Sequence, residues 1–469
     1  MLAKQGRREG IPGSPSPLIT SPDFDYLTKT SFRTLFYTAM NKDKRESIIA
    51  LVQREVVPAI GCTEPAAVSL CVAKATELLG SLPEKISVGL SGNMLKNAMG
   101  VGIPGTGMIG LPIAVALGAL IGRSAYGLEV LRDVSPEAVE SGRKYIAEGR
   151  IEISLVPDSP SNLYIDVVAS AGVHSAHTVI SGLHTNFVHA SLDGASRLAE
   201  APTGCDDAGA SAPADDDVAL DMATVWEFAT ESPFSEISFI LKARDLNKAA
   251  SEVGMQGKYG HGLGKIVSER GVFYFGAGHL ANMISATSAA CDARMGGATV
   301  PVMSNSGSGN QGITATMPVV SFAEDIGASE ETLARALMLS HLTSIYIKQN
   351  LGRLSALCGC VVASTGASAA LVYLMRGGYD EVCSAVKNMV ANLTGMICDG
   401  AKPSCSMKIS SGVGTAMMSA ILAMEGRCVS QAEGIVCDDV DRTIHNLTSI
   451  GKDAMSATDR HVLHIMTHK

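Results

Sequence analysis

The chain has 469 residues, enough for two or three domains around a large core, and its makeup is apolar and rich in small residues: 46% hydrophobic, 18% charged, 48 glycines and few aromatics. A net charge of −9 with no basic stripe argues against nucleic acid as a partner. Eleven cysteines with no secretory signal ahead of them are expected to be ligands, catalysts or buried small residues of a reducing compartment, so a cytoplasmic location is the expectation.

Residues 1–39 scatter Gly, Pro and Ser among Lys and Arg and read as a disordered leader. From residue 40, Ile48, Ile49, Leu51, Val52, Val56 and Val57 recur at helical spacing, and residues 40–84 read as N-terminal helices packing on the rest. Between two of these helices lies Gly61-Cys62-Thr63-Glu64-Pro65. Pro65 suits a first helical turn, so Cys62 falls just ahead of a helix N-terminus. The partial positive charge there lowers a thiol pKa, which favours a reactive cysteine over a small residue buried in a turn.

Residues 85–190 read as an α/β domain. A strand over Ile86–Leu90 leads into the glycine-rich run from Ser91 to Gly107, which has neither Walker nor dinucleotide spacing; it suits either close helix packing or anion binding by backbone N–H groups with Asn93 and Lys96. Thr106–Gly122 is uncharged but short and broken by Pro112, so it reads as a buried helix and no stable membrane insertion is expected. Residues 151–156, 162–170, 174–181 and 184–190 alternate apolar and polar side chains and predict an antiparallel sheet, with His174, His177, His184 and His189 on exposed strand faces. Residues 191–233 are rich in Asp, Ala, Gly, Pro and Ser and read as an acidic low-complexity insertion. From 234 to 469 the pattern is helical, with helices expected near 236–254, 271–290, 328–350, 354–375, 379–395 and 407–425.

Three stretches in this last part carry chemistry. Ser304-Asn305-Ser306-Gly307-Ser308-Gly309-Asn310-Gln311-Gly312 combines glycines that expose backbone N–H groups with Ser and Asn donors, a nest suited to a small anion such as a carboxylate. Cys398-Asp399-Gly400-Ala401-Lys402-Pro403-Ser404-Cys405 frames a short loop with two thiols, soft ligands for zinc, copper(I) or iron–sulfur sites. Two thiols are fewer than such sites use, and Cys358-Gly359-Cys360 offers one or two more. Cys71, Cys291, Cys383, Cys428 and Cys437 stand singly and read as packing residues.

With GCTEP at 61–65, SGNMLKNAMGVGIPGT at 91–106, SNSGSGNQG at 304–312, CGC at 358–360 and CDGAKPSC at 398–405, the chain resembles the L-cysteine desulfidase family, related to the alpha chain of iron–sulfur-dependent L-serine dehydratases. The likeness runs from residue 40 to about 455, apart from the acidic insertion. The expected fold class is α+β: a predominantly helical catalytic domain at 234–469 holding an iron–sulfur cluster, with a smaller α/β part that contains an antiparallel sheet. The resemblance implies β-elimination of L-cysteine to sulfide, ammonia and pyruvate, using a [4Fe–4S] cluster held by Cys398, Cys405 and either Cys358 or Cys360, with Cys358 favoured. It also implies that Cys62 acts as base. Residue type and neighbourhood suggest Asn305, Ser306 and Ser308 for the carboxylate of a small amino-acid substrate, with Lys96 or Lys402 as charge partners. The alternatives are L-serine or another β-substituted amino acid as substrate, and a non-catalytic zinc or cluster protein. A pyridoxal enzyme using Lys96, Lys348 or Lys402 is the other route to β-elimination, but no convincing site for it is present. The apolar, glycine-rich helices suit a homodimer.

Overall fold

In the computed structural model, described for residues 40–197, 218–276, 278–352 and 354–469, a period-2 pattern in the first half folds as a sheet and a 3.6-residue pattern in the second half as a helix bundle. The expected leader and the acidic heart of the expected insertion lie outside the described residues. The first half contains α1 (Lys42–Glu55), β1 (Pro58–Ala59), α2 (Thr63–Leu79), β2 (Lys85–Leu90), α3 (Gly92–Ala98), the pair β3 (Gly102–Ile103) and β4 (Met108–Ile109), α4 (Leu111–Leu120) and α5 (Pro136–Ala147). The strands β5 (Ile151–Leu155), β6 (Tyr164–Ala171), β7 (His174–Ser181), β8 (Phe187–Leu192) and β9 (Ala195–Ser196) complete a sheet of order β5-β2-β6-β7-β8-β9. Its pairs are antiparallel except β2 with β5. The predicted sheet is therefore mixed: the connection from β2 to β5 runs through helices, as a parallel pair demands. Ile86, Val88, Leu90, Ile165, Val167, Ala176 and Ile180 point to one face and bury against Ala67, Leu70 and Cys71 of α2. The short apolar helix α4 is buried, as its sequence predicts.

The second half contains α6 (Met222–Glu231), α7 (Phe234–Ile237), α8 (Leu241–Gly254), α9 (Leu263–Phe275), α10 (His279–Met295), β10 (Val302–Met303), α11 (Gly309–Asp325), α12 (Glu330–Leu351), α13 (Gly359–Leu374), α14 (Tyr379–Leu393), α15 (Cys405–Met424), α16 (Val440–Ser449) and α17 (Ser456–Thr467). The fold is thus α+β and mostly helical. Three details depart from the sequence expectation. The helix expected over 271–290 is two, α9 and α10, parted at Gly276 and Gly278. The apolar run behind the Ser/Asn/Gly loop is itself a helix, α11. The last part of the expected insertion is α6, which starts on the side chain of Asp221 and buries Met222, Val225 and Phe228; that stripe is short, and the acidic run before it hides it in composition.

From Lys42 onward the described chain is one compact unit. Among the described residues one helix, α15, is long and apolar enough to cross a membrane, and half of it is buried inside the protein. An ion pair with a buried lysine joins distant parts of this unit: Lys96 of α3 meets the half-buried Asp459 of α17 and also reaches the carbonyl of Cys398, 3.5 Å away. Removing one partner of such a pair strands a charge in the interior. Asp459→Ala is expected to destabilise the protein by about 3–5 kcal/mol, whereas Lys96→Met combined with Asp459→Leu stays within about 1–2 kcal/mol of the parent. Urea-unfolding midpoints measure both; equal midpoints for Asp459→Ala and the parent contradict the assignment.

Candidate active site

Backbone pairing brings the two cysteine stretches together. Leu357 and Ile397 form an antiparallel bridge; the Cys358 N–H donates to the Met396 carbonyl at 3.0 Å, and the Cys398 N–H to the Ala356 carbonyl at 2.7 Å. Cys358 is then the N-cap of α13, and Cys405 opens α15. The loop between Cys398 and Cys405 turns at Gly400, whose φ of +91° and close approach to the Lys96 carbonyl leave space for no side chain. Asp399 holds the loop by pairing with Lys402 (2.5 Å) and Lys408; burial opposes its ionisation, but these two cations bring it down to about 2.

Cys358, Cys360, Cys398 and Cys405 all line one cavity of about 120 Å³. The Cys358 and Cys360 sulfurs lie 3.4 Å apart. That contact is the main cause holding the Cys358 thiol at about 7, against burial and with help from Lys408, while the same contact and burial push Cys360 well up. Burial raises Cys398 and takes Cys405 to about 11. Among the described residues no three His, Cys, Asp or Glu side chains gather tightly enough to hold a single metal ion. The thiols instead surround a space, and soft donors spread over a cavity wall fit a cluster of several irons, in which each ligand binds a different iron.

Cys62 lies on the same cavity and caps α2. Its sulfur is buried and donates to Glu64 Oε2 at 2.8 Å. The sequence predicts a lowered thiol pKa here. The structure reverses the direction: burial first, then the Glu64 charge, push the Cys62 thiol well above its ordinary range, and Arg294 only partly offsets them. Glu64 takes further hydrogen bonds from Thr63 Oγ1 (3.1 Å) and Asn97 Nδ2 (3.2 Å). Burial works against its charge, yet His184, the Cys62 thiol and Arg294 together lower its pKa. His184 is a second correction: it sits in the turn between β7 and β8, buried and on the cavity wall, not on an exposed strand face.

The Ser/Asn/Gly loop supplies the remaining wall. Ser306 and Ser308 line the cavity, Ser306 with a left-handed φ of +48° and Ser308 as the N-cap of α11. Asn305 does not: its amide donates to the His341 carbonyl (3.2 Å), meets His341 Nδ1 (3.1 Å) and accepts from Ser306 Oγ (2.9 Å), so it anchors the loop from behind. Lys96 and Lys402 are likewise absent from the wall, engaged with Asp459 and Asp399. Among the described residues, the lysines and arginines on the wall are Arg294, Lys348 and Lys408. Arg294 is 3% exposed; one guanidinium nitrogen donates to Asn310 Oδ1 at 3.0 Å, while its Nε–H has no partner among the described residues. A Cβ at Gly309 would collide with that Nε, so glycine is required for the guanidinium to lie there. The sequence does hint at Arg294, which with Asp292 brings charge to a helix rich in small residues, and at Glu64 inside GCTEP.

The chain belongs to the serine dehydratase alpha-chain family, whose model matches residues 125–464, and so stands among serine dehydratase-like lyases, a group associated with iron–sulfur clusters. At the level of particular proteins it is similar to a UPF0597 protein of Bacteroides fragilis, 59% identical over 433 residues that cover 92% of this chain and 100% of the relative. It is similar to UPF0597 proteins of Porphyromonas gingivalis (53% over 432 residues) and Oleidesulfovibrio alaskensis (46% over 431 residues), each covering 92% of this chain and 100% of the relative. The resemblance carried by the motifs therefore holds at the family level.

His341 behind the loop yields a pH prediction. Burial lowers its pKa to about 3, so it is neutral in the fold, while the unfolded chain takes up a proton below about 6.5. A depressed histidine makes stability fall as pH drops from about 6.5 toward 3, by about 2 kcal/mol between pH 7 and pH 5. His341→Gln is expected to flatten that part of the stability–pH curve, measured by denaturant unfolding; an unchanged slope contradicts the assignment.

Proposed function

We propose that this chain is an L-cysteine desulfidase, eliminating sulfide from L-cysteine to give ammonia and pyruvate at a [4Fe–4S] cluster held by Cys358, Cys398 and Cys405. The observation that carries this reading is the meeting of thiols from two separate segments with Cys62, Glu64 and Arg294 on one cavity. A cluster with three thiolate ligands supplies one iron without a protein ligand, a Lewis acid toward the substrate's leaving group. The protein's own residues do the remaining work. The unpartnered Nε–H of Arg294, with Ser306 and Ser308 at the N-terminus of α11, binds the carboxylate. Cys62 takes the proton from Cα, and burial of the wall excludes water until aminoacrylate has formed. Aminoacrylate then hydrolyses to pyruvate and ammonia.

The wall near the thiols is lined by Leu357 and Ile409. A departing thiol is content against such apolar groups, whereas a hydroxyl loses hydrogen bonds there. The family description itself supports a second reading, in which L-serine is the substrate. Protein purified without oxygen and assayed side by side separates the two: sulfide and pyruvate released from L-cysteine at a kcat/KM at least about tenfold above that for pyruvate from L-serine supports the first reading. The reverse order establishes the second, and no turnover of either sinks both.

Arg294→Gln tests the carboxylate site. Losing a hydrogen bond to a charged group raises KM roughly ten- to hundredfold. An unchanged KM contradicts the role.

A further inference from the structure

Glu64 sets a constraint on how Cys62 can act. Its carboxylate is 8% exposed, lines the same cavity, and is fixed from three sides by Cys62 Sγ (2.8 Å), Thr63 Oγ1 (3.1 Å) and Asn97 Nδ2 (3.2 Å). Arg294 of α10 and His184 of the β7–β8 turn face it with the charge that favours its ionised form. The partner thiol is held in the opposite sense, protonated well above its usual range by burial and by Glu64 itself. A thiol that already carries its proton accepts another from carbon only if the first departs in the same event. Among the described residues, the carboxylate it touches is that of Glu64.

We propose that Cys62 and Glu64 form a proton relay: as the Cα proton moves onto Cys62 Sγ, the proton already on that sulfur moves to Glu64 Oε2. This rests on the elimination reading above, and it applies equally to a departing sulfur or oxygen. For L-cysteine the step balances as follows. The Cα–H and old S–H bonds break, and a new S–H bond and an O–H bond form. The electron pair left on Cα becomes the Cα=Cβ bond, and the Cβ–S pair leaves with hydrosulfide. Glu64 then gives its proton to hydrosulfide, which departs as hydrogen sulfide, and the pair returns to thiol and carboxylate. The net change is L-cysteine to aminoacrylate and hydrogen sulfide, with no oxidant or reductant. Glu64 thus takes the Cα proton through Cys62 and gives a proton to the leaving group directly, as acceptor and then donor.

The test compares Glu64→Gln and Glu64→Asp with the parent, all purified without oxygen and checked for unchanged visible absorption. Glu64→Gln keeps the shape but cannot accept a proton; kcat is expected to fall about 10²- to 10⁴-fold with KM within about threefold, while Glu64→Asp retains part of the rate. A purely structural role does not move a second readout, the pH profile of Cys62 alkylation by iodoacetamide, followed by peptide mass spectrometry. With the neighbouring negative charge gone, the Glu64→Gln profile shifts to lower pH. Should Glu64→Gln fail to fold, Asn97→Ala loosens the carboxylate and is expected to lower kcat and shift the alkylation profile in the same directions, by less. A Glu64→Gln kcat within about tenfold of the parent, or an unmoved alkylation profile, overturns the relay. A parent enzyme that eliminates from no amino acid sinks the elimination reading instead, and the alkylation profile still reports separately on whether Glu64 holds the Cys62 proton.

Discussion

Four helix N-termini meet at one cavity, and the rest of the site follows from that arrangement. Cys62 caps α2, Ser308 caps α11, Cys358 caps α13 and Cys405 opens α15. Each N-terminus offers unpaired N–H groups and a partial positive charge, so the cavity wall favours anions before any side chain is counted. Arg294, Lys348 and Lys408 add full charges to the same wall. Thiolates, a cluster and a substrate carboxylate are the kinds of anion such a wall accommodates. The bridge between Leu357 and Ile397 is what makes two of the four ends coincide, since it ties the start of α13 to the loop that leads into α15.

Within that positive surround the ionisable groups are not equal. Cys358 shares a contact with Cys360 and lies near Lys408, which brings it down to about 7 despite burial. Cys62 has the same helix-end advantage and ends up shifted the other way, because burial and the adjacent Glu64 outweigh it. One kind of local structure thus produces a thiol suited to metal ligation and another that keeps its proton. The cost of holding Glu64 ionised in the interior is offset by Thr63, Asn97, Arg294 and His184, a larger set of partners than a packing residue uses. Lys96 and Asp459, in turn, fix the back of the Cys398–Cys405 loop without entering the cavity.

Much of this was legible in the sequence where a residue's role is set by its near neighbours. The strands of the sheet, the buried helix α4, the turn at Gly61 to Pro65 and the two cysteine stretches all follow from local pattern. Where partners come from far along the chain, local pattern misleads. Asn305, Lys96 and Lys402 have the chemistry of substrate ligands, but His341, Asp459 and Asp399 occupy them. His184 falls in a stretch that alternates like a strand in sequence, and that alternation gives no sign that it is a turn folded inward toward Glu64. Arg294 shares a small-residue helix with one other charged side chain, Asp292, and its place on the wall depends on Gly309 of a different helix. The direction of the Cys62 shift depends on depth of burial, which no short motif encodes.

Iron and acid-labile sulfide counted per chain after oxygen-free purification, in the parent and in Cys358→Ser, Cys398→Ser, Cys405→Ser and Cys360→Ser, bear most directly on the cavity's purpose. The expected result is about four irons and four sulfides in the parent. The first three variants lose most of both, and Cys360→Ser keeps them. A parent that holds zinc or no metal, or a Cys398→Ser or Cys405→Ser chain that keeps its full iron, contradicts a cluster held at the meeting point of these helices.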